Sequence, residues 1–291
     1  VVMALSSRTL ASHAAPRRER RRSGRTAAAD PGIAFLVVVA AAAVAAPLLT
    51  RYGPTDMSKN AVLAFPSWSH LMGTDQFGRD ILSRLLYGAR TALAVGVGAT
   101  AIAAVCGVPL GLWTGFKGGT VDAIAMRGVD TLMAIPAVLL AMALVAVAGP
   151  GSLNVAVAVA VVGLPQFARI ARAGVLAHRR MEYVEASVAA GAHDVRIVFR
   201  TILPNVLSPV LIQIPIGVSR AILLEASLSF LGLGTQPPQP SWGLMISESR
   251  EYMYAAPWYG IFPGAAIALT VLALNHVADR VRSQWRTDPA R

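Results

Sequence analysis

Five long stretches of this chain carry no fixed charge, and they limit what it can fold into. Ile33–Leu49, Ala92–Phe116, Thr131–Ala168 and Ile202–Ser219 contain no Asp, Glu, Lys or Arg, and Tyr252–Val277 adds only the titratable His276. An uncharged apolar run of about 18 residues or more is long enough to cross a bilayer as a helix. The first stretch, at 17 residues, falls just short but is almost wholly apolar. The third is too long for one crossing, and Gly149-Pro150-Gly151-Ser152 divides it, because glycine and proline interrupt regular structure. Only 14% of the residues are charged, where a soluble domain carries about 25%. The chain therefore reads as an all-α polytopic membrane protein. Six transmembrane helices are expected, at Ile33–Leu49, Thr91–Trp113, Val129–Ala148, Leu153–Ala168, Val206–Leu224 and Ile261–Val277.

The net charge of +11 raises nucleic acid as a partner, but its distribution points to membrane topology and not to nucleic acid. Arg17, Arg18, Arg20, Arg21, Arg22 and Arg25 directly precede the first apolar run. Segments on that side of the membrane hold 19 Lys and Arg, segments on the other side hold 6, and Arg220 lies near the end of the fifth helix. Positive residues collect on the cytoplasmic side, so both termini are expected to be cytoplasmic. The start of the chain is polar before residue 32 and no small-residue cleavage site follows the apolar run, so a retained first helix is expected. Residues 1–30 read as a disordered basic arm, residues 31–284 as one membrane domain, and residues 285–291 as a cytoplasmic tail.

The outer segment 50–90 ends in a patterned stretch. Asp80 is placed to cap a helix, since a carboxylate accepts from the free N–H groups of a first turn. Ile81, Leu82, Leu85, Leu86 and Ala89 then form an apolar stripe, with Ser83, Arg84 and Arg90 expected on the surface. This predicts a short interfacial helix leading into the second span. That span carries Gly96, Gly98, Gly107 and Gly111, which allow close helix approach, and Pro109, which predicts a bend. Cys106 is the single cysteine; it excludes an intrachain disulfide and reads as a small packing residue. His13, His70, His178, His193 and His276 do not share metal-ligand spacing. Asn154, Gln166 and Gln213 fall within helices, where they either line a pathway or tie helices together. Arg220 and Glu225 are costly in a membrane; they are expected to pair or to snorkel.

The cytoplasmic segment 169–205 is polar and set between two apolar spans. Arg169, Arg172, Arg179 and Arg180 leave the fourth helix at the membrane surface. Met181–Ala190 has good helical propensity, with Val184 and Val188 one turn apart. Gly191 ends that helix in a left-handed conformation. A second helix is expected over Asp194–Ile202, with Val195, Val198, Phe199 and Ile202 on one face, and Pro204 closes it. Physical chemistry alone leaves two roles open: a loop held on anionic lipid by its arginines, or a helix–turn–helix that enters a partner's groove.

Glu185-Ala186-Ser187, three residues, Gly191, and then Leu203-Pro204 resemble the EAA motif of permease subunits of bacterial ABC importers. That pattern is Glu-Ala-Ala, three residues, Gly, nine residues, Ile-x-Leu-Pro; Ser187 and Thr201 depart from it without changing the spacing. Gly73-Thr74-Asp75-Gln76-Phe77-Gly78-Arg79-Asp80 resembles the GTDxxGRD signature of the C-type permease of oligopeptide, dipeptide and nickel importers. Leu224-Glu225-Ala226 with Leu228-Ser229-Phe230-Leu231-Gly232-Leu233-Gly234 resembles another segment of that subunit. Pro240-Ser241-Trp242-Gly243 and Ala256-Pro257-Trp258 with Pro263-Gly264 match its second outer loop (225–260) and last helix.

The resemblance implies a type I importer permease fold in the bacterial plasma (inner) membrane. It implies a second homologous permease as heterodimer partner, two ATP-binding subunits that hold ATP and Mg, and an extracytoplasmic substrate-binding protein. The ATPase-coupling positions it implies are Glu182, Glu185, Ala186, Gly191, Ala192, Leu203 and Pro204. Gly73, Thr74, Asp75, Gly78, Arg79 and Asp80 would form the outer-loop signature. No GxxxxGK[ST] loop occurs; Gly115-Phe116-Lys117-Gly118-Gly119 lacks its spacing and reads as a turn. The chain is thus expected to be a transport subunit with no catalytic, metal or cofactor site of its own. Oligopeptide or dipeptide uptake is the reading taken, with nickel or another small solute as the alternative within the family. A secondary transporter would call for intramembrane charge clusters and internal repeats, and neither is evident.

Overall fold

The computed structural model describes residues 30–286, and every regular element within them is helical; the one strand-like pairing is an isolated bridge between Thr74 and Asp80. α1 (Pro31–Val44) starts at Asp30, whose carboxylate accepts from Gly32 N at 2.9 Å and Ile33 N at 3.3 Å. The basic arm lies outside the described residues except for Asp30, and so do the last five residues of the tail. α2 (Ala46–Leu49) follows a break at Ala45. Then come α3 (Ile81–Lys117), α4 (Gly119–Ala134), α5 (Ala137–Ala148) and α6 (Ser152–His178). α7 (Glu182–Ala189), α8 (Asp194–Arg196), a π-helical turn (Ile197–Ile202), α9 (Leu203–Phe230), α10 (Trp242–Ser249) and α11 (Pro257–Arg286) complete the order.

Four stretches are long and apolar enough to cross a membrane: Ile81–Lys117, Ser152–His178, Asp194–Phe230 and Pro257–Gln284. α4 and α5 pass only as a pair bent by 96°, which gives four spans, or five with the pair counted as one; α1 is shorter. Between 33% and 44% of each long span's apolar window is buried within the chain. The larger part therefore faces outward, as expected for helices whose remaining surface meets lipid or a second subunit.

The bundle is held by a seam of small residues. A Cβ built on Gly111 of α3 would lie 2.1 Å from the Ala168 carbonyl oxygen of α6, and one on Gly107 would lie 2.7 Å from the Leu164 carbonyl oxygen. One turn further, a Cβ on Gly115 would meet Val175 Cβ at 3.0 Å. Glycine at four-residue spacing lets two membrane helices approach backbone to backbone, where dispersion is strongest. Three apolar clusters flank this seam. One joins α1, α3, α9, α10 and α11 around Ile81, Ile222, Trp242 and Tyr259. A middle one joins α3, α5, α6 and α9. The third gathers Leu112, Val175, Val184, Ile197 and Ile202 beside the α6–α9 hairpin. We call the two ends of the bundle the cap end and the hairpin end.

Several sequence expectations change. The third span is not one helix over Val129–Ala148. Pro136 lacks an N–H and pushes Ile135 into an extended conformation (φ −90°, ψ 131°), so the chain turns there. The short interfacial helix and the second span are one continuous α3, which also runs through Pro109. Ser83 and Arg84 face inward and are fully buried, contrary to the expected polar surface. Pro204 does not close a helix. The preceding π turn widens the backbone ladder and makes room for the proline ring, so the helix passes into α9. Cys106 is exposed on the bundle surface and does not pack within the chain.

Replacing Gly111 by valine forces α3 and α6 apart at their closest point. A loss of about 1–3 kcal/mol is expected, as for other overpacked cores. The thermal denaturation midpoint of the detergent-purified chain should fall, while Gly98→Val, where a Cβ meets nothing within 4 Å, leaves it unchanged.

Candidate functional site

The α6–α9 hairpin is built by local rules. Glu182 and Glu185 lie in the first turn of α7, where carboxylates favour the positive helix end. Gly191 N–H donates to Val188 O at 2.9 Å and Ala192 N–H to Ser187 O at 3.1 Å. With Gly191 at φ +76° this is a Schellman ending, which satisfies the last carbonyls of α7. One side of the hairpin is anchored. Val184, Ile197, Val198 and Ile202 are buried against Ala171 and Val175 of α6, and Ala192 and Leu203 pack partly against them. The other side is open. Glu182, Glu185, Ala186, Gly191 and Pro204 are exposed, and nothing among the described residues lies within 4 Å of a Cβ on Gly191.

The expected apolar pairs split across these two sides. Val188, Val195 and Phe199 are 55%, 57% and 42% exposed, so only Val184, Val198 and Ile202 of the predicted stripes face the bundle. The π turn rotates the face after α8 and brings Ile197 inward, a residue that helical spacing did not pick. Met181 and Tyr183 add to the open apolar surface. Partial burial raises the pKa of the Tyr183 hydroxyl above its ordinary value, so the group stays neutral at physiological pH. His193, which precedes α8, is also exposed on this side.

The arginines at the end of α6 do not simply face lipid. Arg172 grips Asp122 of α4 with two hydrogen bonds of 2.6 Å, Arg169 reaches Asp130 at 2.5 Å, and Arg179 donates to Gly115 O at 3.4 Å. Lys117 pairs with Asp194 and ties the end of α3 to α8. The hairpin base is thereby fixed to α3, α4 and α6 together.

Within the bundle, a cavity of about 480 Å³ lies between α3, the α4–α5 bend, α6 and α9. Its wall is mostly apolar, and its polar side chains include Thr100, Gln166, Gln213 and Arg220. Arg220 and Glu225 do not pair. Arg220 Nη1 donates to Gln166 Oε1 at 2.8 Å, while Glu225 is buried and accepts from Ser229 Oγ at 2.7 Å. Asn154 stays outside the cavity; its amide donates to Ala148 O and Gly149 O and closes the end of α5.

At the cap end, the predicted signature residues come together. Asp75 accepts from Arg79 N at 2.9 Å and Arg79 Nε at 2.5 Å, and it lies 3.5 Å from Arg84 Nη1. Glu248 of α10 receives Arg84 Nη2 at 2.7 Å, Arg79 Nη2 at 3.2 Å and the Tyr259 hydroxyl at 2.7 Å. Thr74 bridges Ala61 O and Ala64 N. Asp80 caps α3 through Ser83 N at 2.8 Å and holds His70 at 3.0 Å. Gly73 and Gly78 sit at φ +77° and +71°, and a Cβ on Gly78 would lie 2.0 Å from Ser58 O. Glu248 and Tyr259 were absent from the sequence expectation and Arg84 was expected on the surface; a local motif does not announce a carboxylate more than 160 residues away.

Among the described residues no group of three or more His, Cys, Asp or Glu could hold a metal ion. Residues 107–283 match the family described as binding-protein-dependent transport system inner membrane component. The chain is 45% identical over 257 residues to the dipeptide transport system permease protein DppC of Escherichia coli, covering 86% of each. It is 40% identical over 257 residues to the di/tripeptide transport system permease protein DppC of Pseudomonas aeruginosa, covering 86% of this chain and 85% of that one. A chain of the MetNI methionine ABC transporter in inward-facing conformations superposes with a TM-score of 0.58 at 20% identity, covering 69% of this chain and 95% of that chain; this is a likeness of fold. The matched region takes in the glycine seam, the cavity walls from α4 to α9 and the open hairpin, and the chain belongs to the family of binding-protein-dependent transport system inner membrane components.

Proposed function

We propose that this chain is the C-type permease subunit of an ATP-driven ABC importer that takes up dipeptides or oligopeptides. It is a transport subunit and not an enzyme. It pairs with a second, homologous permease to form the pathway. Two separate ATP-binding subunits bind ATP and Mg, and an extracytoplasmic binding protein delivers the substrate. The peptide reading is supported by the relatives in Escherichia coli and Pseudomonas aeruginosa, whose likeness extends over 86% of this chain.

In this reading the chain crosses the bacterial plasma membrane six times, with both ends in the cytoplasm. The spans are α1 with α2, α3, the bent α4–α5 pair, α6, α8–α9 and α11. Pro31–Leu49, at 1.5 Å per residue, reaches roughly 28 Å, close to the thickness of a hydrocarbon core. The hairpin end is cytoplasmic and the cap end extracytoplasmic.

One observation carries the coupling role: α7 is anchored on one side by Val184 and open on the other, with Glu185, Ala186 and Gly191 exposed. Glu182, Glu185, Ala186, Gly191, Ala192, Leu203 and Pro204 form the element that docks on an ATP-binding subunit. ATP binding closes the two ATPases, α7 moves with them, and α6 and α9 move with α7 because the buried side of the hairpin joins both. The coupling is a preference of one bundle conformation for the closed ATPases. The signature residues Gly73, Thr74, Asp75, Gly78, Arg79 and Asp80 hold the extracytoplasmic cap together and do not touch substrate.

Three outcomes check this reading. Membrane complexes purified through this chain should contain two ATP-binding subunits and take up labelled dipeptide in preference to nickel. Glu185→Lys should lower binding-protein-stimulated ATP hydrolysis about tenfold, since a misplaced interface charge costs more than 1 kcal/mol. Normal stimulation in that variant would remove the coupling role. Arg84→Leu leaves Asp75 and Glu248 short of a buried partner and should destabilise the purified chain by about 3–5 kcal/mol, read as a fall in its thermal midpoint.

A further inference from the structure

Arg220 is the residue that the packing of this chain leaves unexplained. It lies in α9, one residue beyond the uncharged run Ile202–Ser219, and its partner Gln166 sits one turn before Arg169 of α6. A guanidinium within a membrane helix is costly unless something pairs with it. Its one hydrogen bond among the described residues goes to the neutral amide of Gln166, and no carboxylate among them pairs with it. It opens into the apolar cavity, which is shaped by Thr100, Pro136, Phe167 and Gly217.

A second observation lies in the same cavity. Gln213 is only 9% exposed, lines the cavity wall and makes no hydrogen bond to any described residue. Its amide faces the cavity and is open to hydrogen-bond a guest or water there. Gln213 and Arg220 are seven residues apart on one helix and therefore share a face, about 10 Å apart along the axis. An extended chain advances about 3.3–3.6 Å per residue, so two or three residues bridge that distance.

We propose that Arg220 is the carboxylate-binding residue of the translocation path. The C-terminal carboxylate of the peptide meets its guanidinium, and the Gln213 amide hydrogen-bonds the other end of a dipeptide or tripeptide in the same cavity. Gln166 holds the guanidinium in place without neutralising it, because a neutral acceptor orients the charge and leaves it free for an anion. The apolar walls accept side chains of different shapes, so selection falls on the free carboxylate that all such peptides share. This inference rests on the peptide reading above.

The test is equilibrium binding of Ala-Ala and of its C-terminal amide to the intact complex in nanodiscs without the binding protein. Uptake of Ala-Ala by the complete system in proteoliposomes is measured alongside. The wild-type complex should bind the free acid about tenfold more tightly than the amide, the worth of one charge-assisted hydrogen bond. Arg220→Gln should bring the two within about twofold, and Arg220→Lys should keep part of the preference. Gln166→Glu places a fixed carboxylate on the guanidinium with no change of shape. It should abolish the preference while leaving assembly intact, whereas a merely structural α6–α9 tie would be strengthened by it. Should Arg220→Gln fail to assemble, Gln166→Glu decides alone. Equal or absent binding of acid and amide by the wild type, or a preference that survives Arg220→Gln or Gln166→Glu, overturns the proposal. If Ala-Ala uptake is intact in that case, the peptide reading stands; a complete system that takes up no dipeptide overturns both.

Discussion

The close approach of α3 to α6 is the contact on which the rest of the molecule depends. Gly107, Gly111 and Gly115 place one helix backbone against the other at Leu164, Ala168 and Val175. The α6 segment held in this way carries Gln166 and Phe167 into the cavity. A little over two turns further on, the same seam leads to Val175, on which Val184 and the buried side of the hairpin rest. One line of small residues thus sets both the cavity wall and the base of the hairpin. Hydrophobic driving force between helices is weak where lipid is the alternative solvent, so this proximity comes from dispersion over a backbone-to-backbone contact. A side chain at Gly111 would act on both regions at once.

The two ends of the bundle solve different problems with different forces. At the cap end, Asp75, Arg79, Arg84, Glu248 and Tyr259 form a largely buried polar network that joins the segment before α3 to α10 and α11. Each charge there has a partner of opposite sign, which is the condition under which burial of charge is tolerable. At the hairpin end the ion pairs are more exposed. Arg169–Asp130 is 50% and 58% exposed at its two side chains, and Lys117–Asp194 is 41% and 44% exposed. Pairs of that kind contribute little to stability. They lie at the junction of α3, α4, α6 and α8.

What the sequence disclosed follows the range of the interactions. The Asp80 cap, the Gly191 turn and the break at Gly149–Ser152 depend on residues within one or two turns, and each was legible. The burial of Arg84 was not, because its acidic partner Glu248 lies 164 positions away. A periodicity argument therefore put the polar face of α3 outward when a distant carboxylate draws it inward. The bend at Pro136 did have a local signal, since a residue before proline is driven out of the helical region; the uniform apolarity around it hid that signal. The π turn at Ile197–Ile202 is the third kind of failure. It shifts the helical register by a fraction of a turn, and that shift moves Phe199 out and Ile197 in.

That last displacement bears on which surface the hairpin leaves open. Had Val195, Val198, Phe199 and Ile202 formed one buried stripe, the hairpin would have closed on the bundle and left little apolar surface for a partner. The widened turn divides the stripe instead. Val198 and Ile202 keep the hairpin on α6, while Phe199 and Val195 stay open on the same side as Val188 and Tyr183. The turn also lets Pro204 sit inside a continuous helical path from α8 into α9, with no loop between them. The segment that carries Gln213 and Arg220 is thus joined to α8 by helical backbone, with Pro209 and Pro215 inside it.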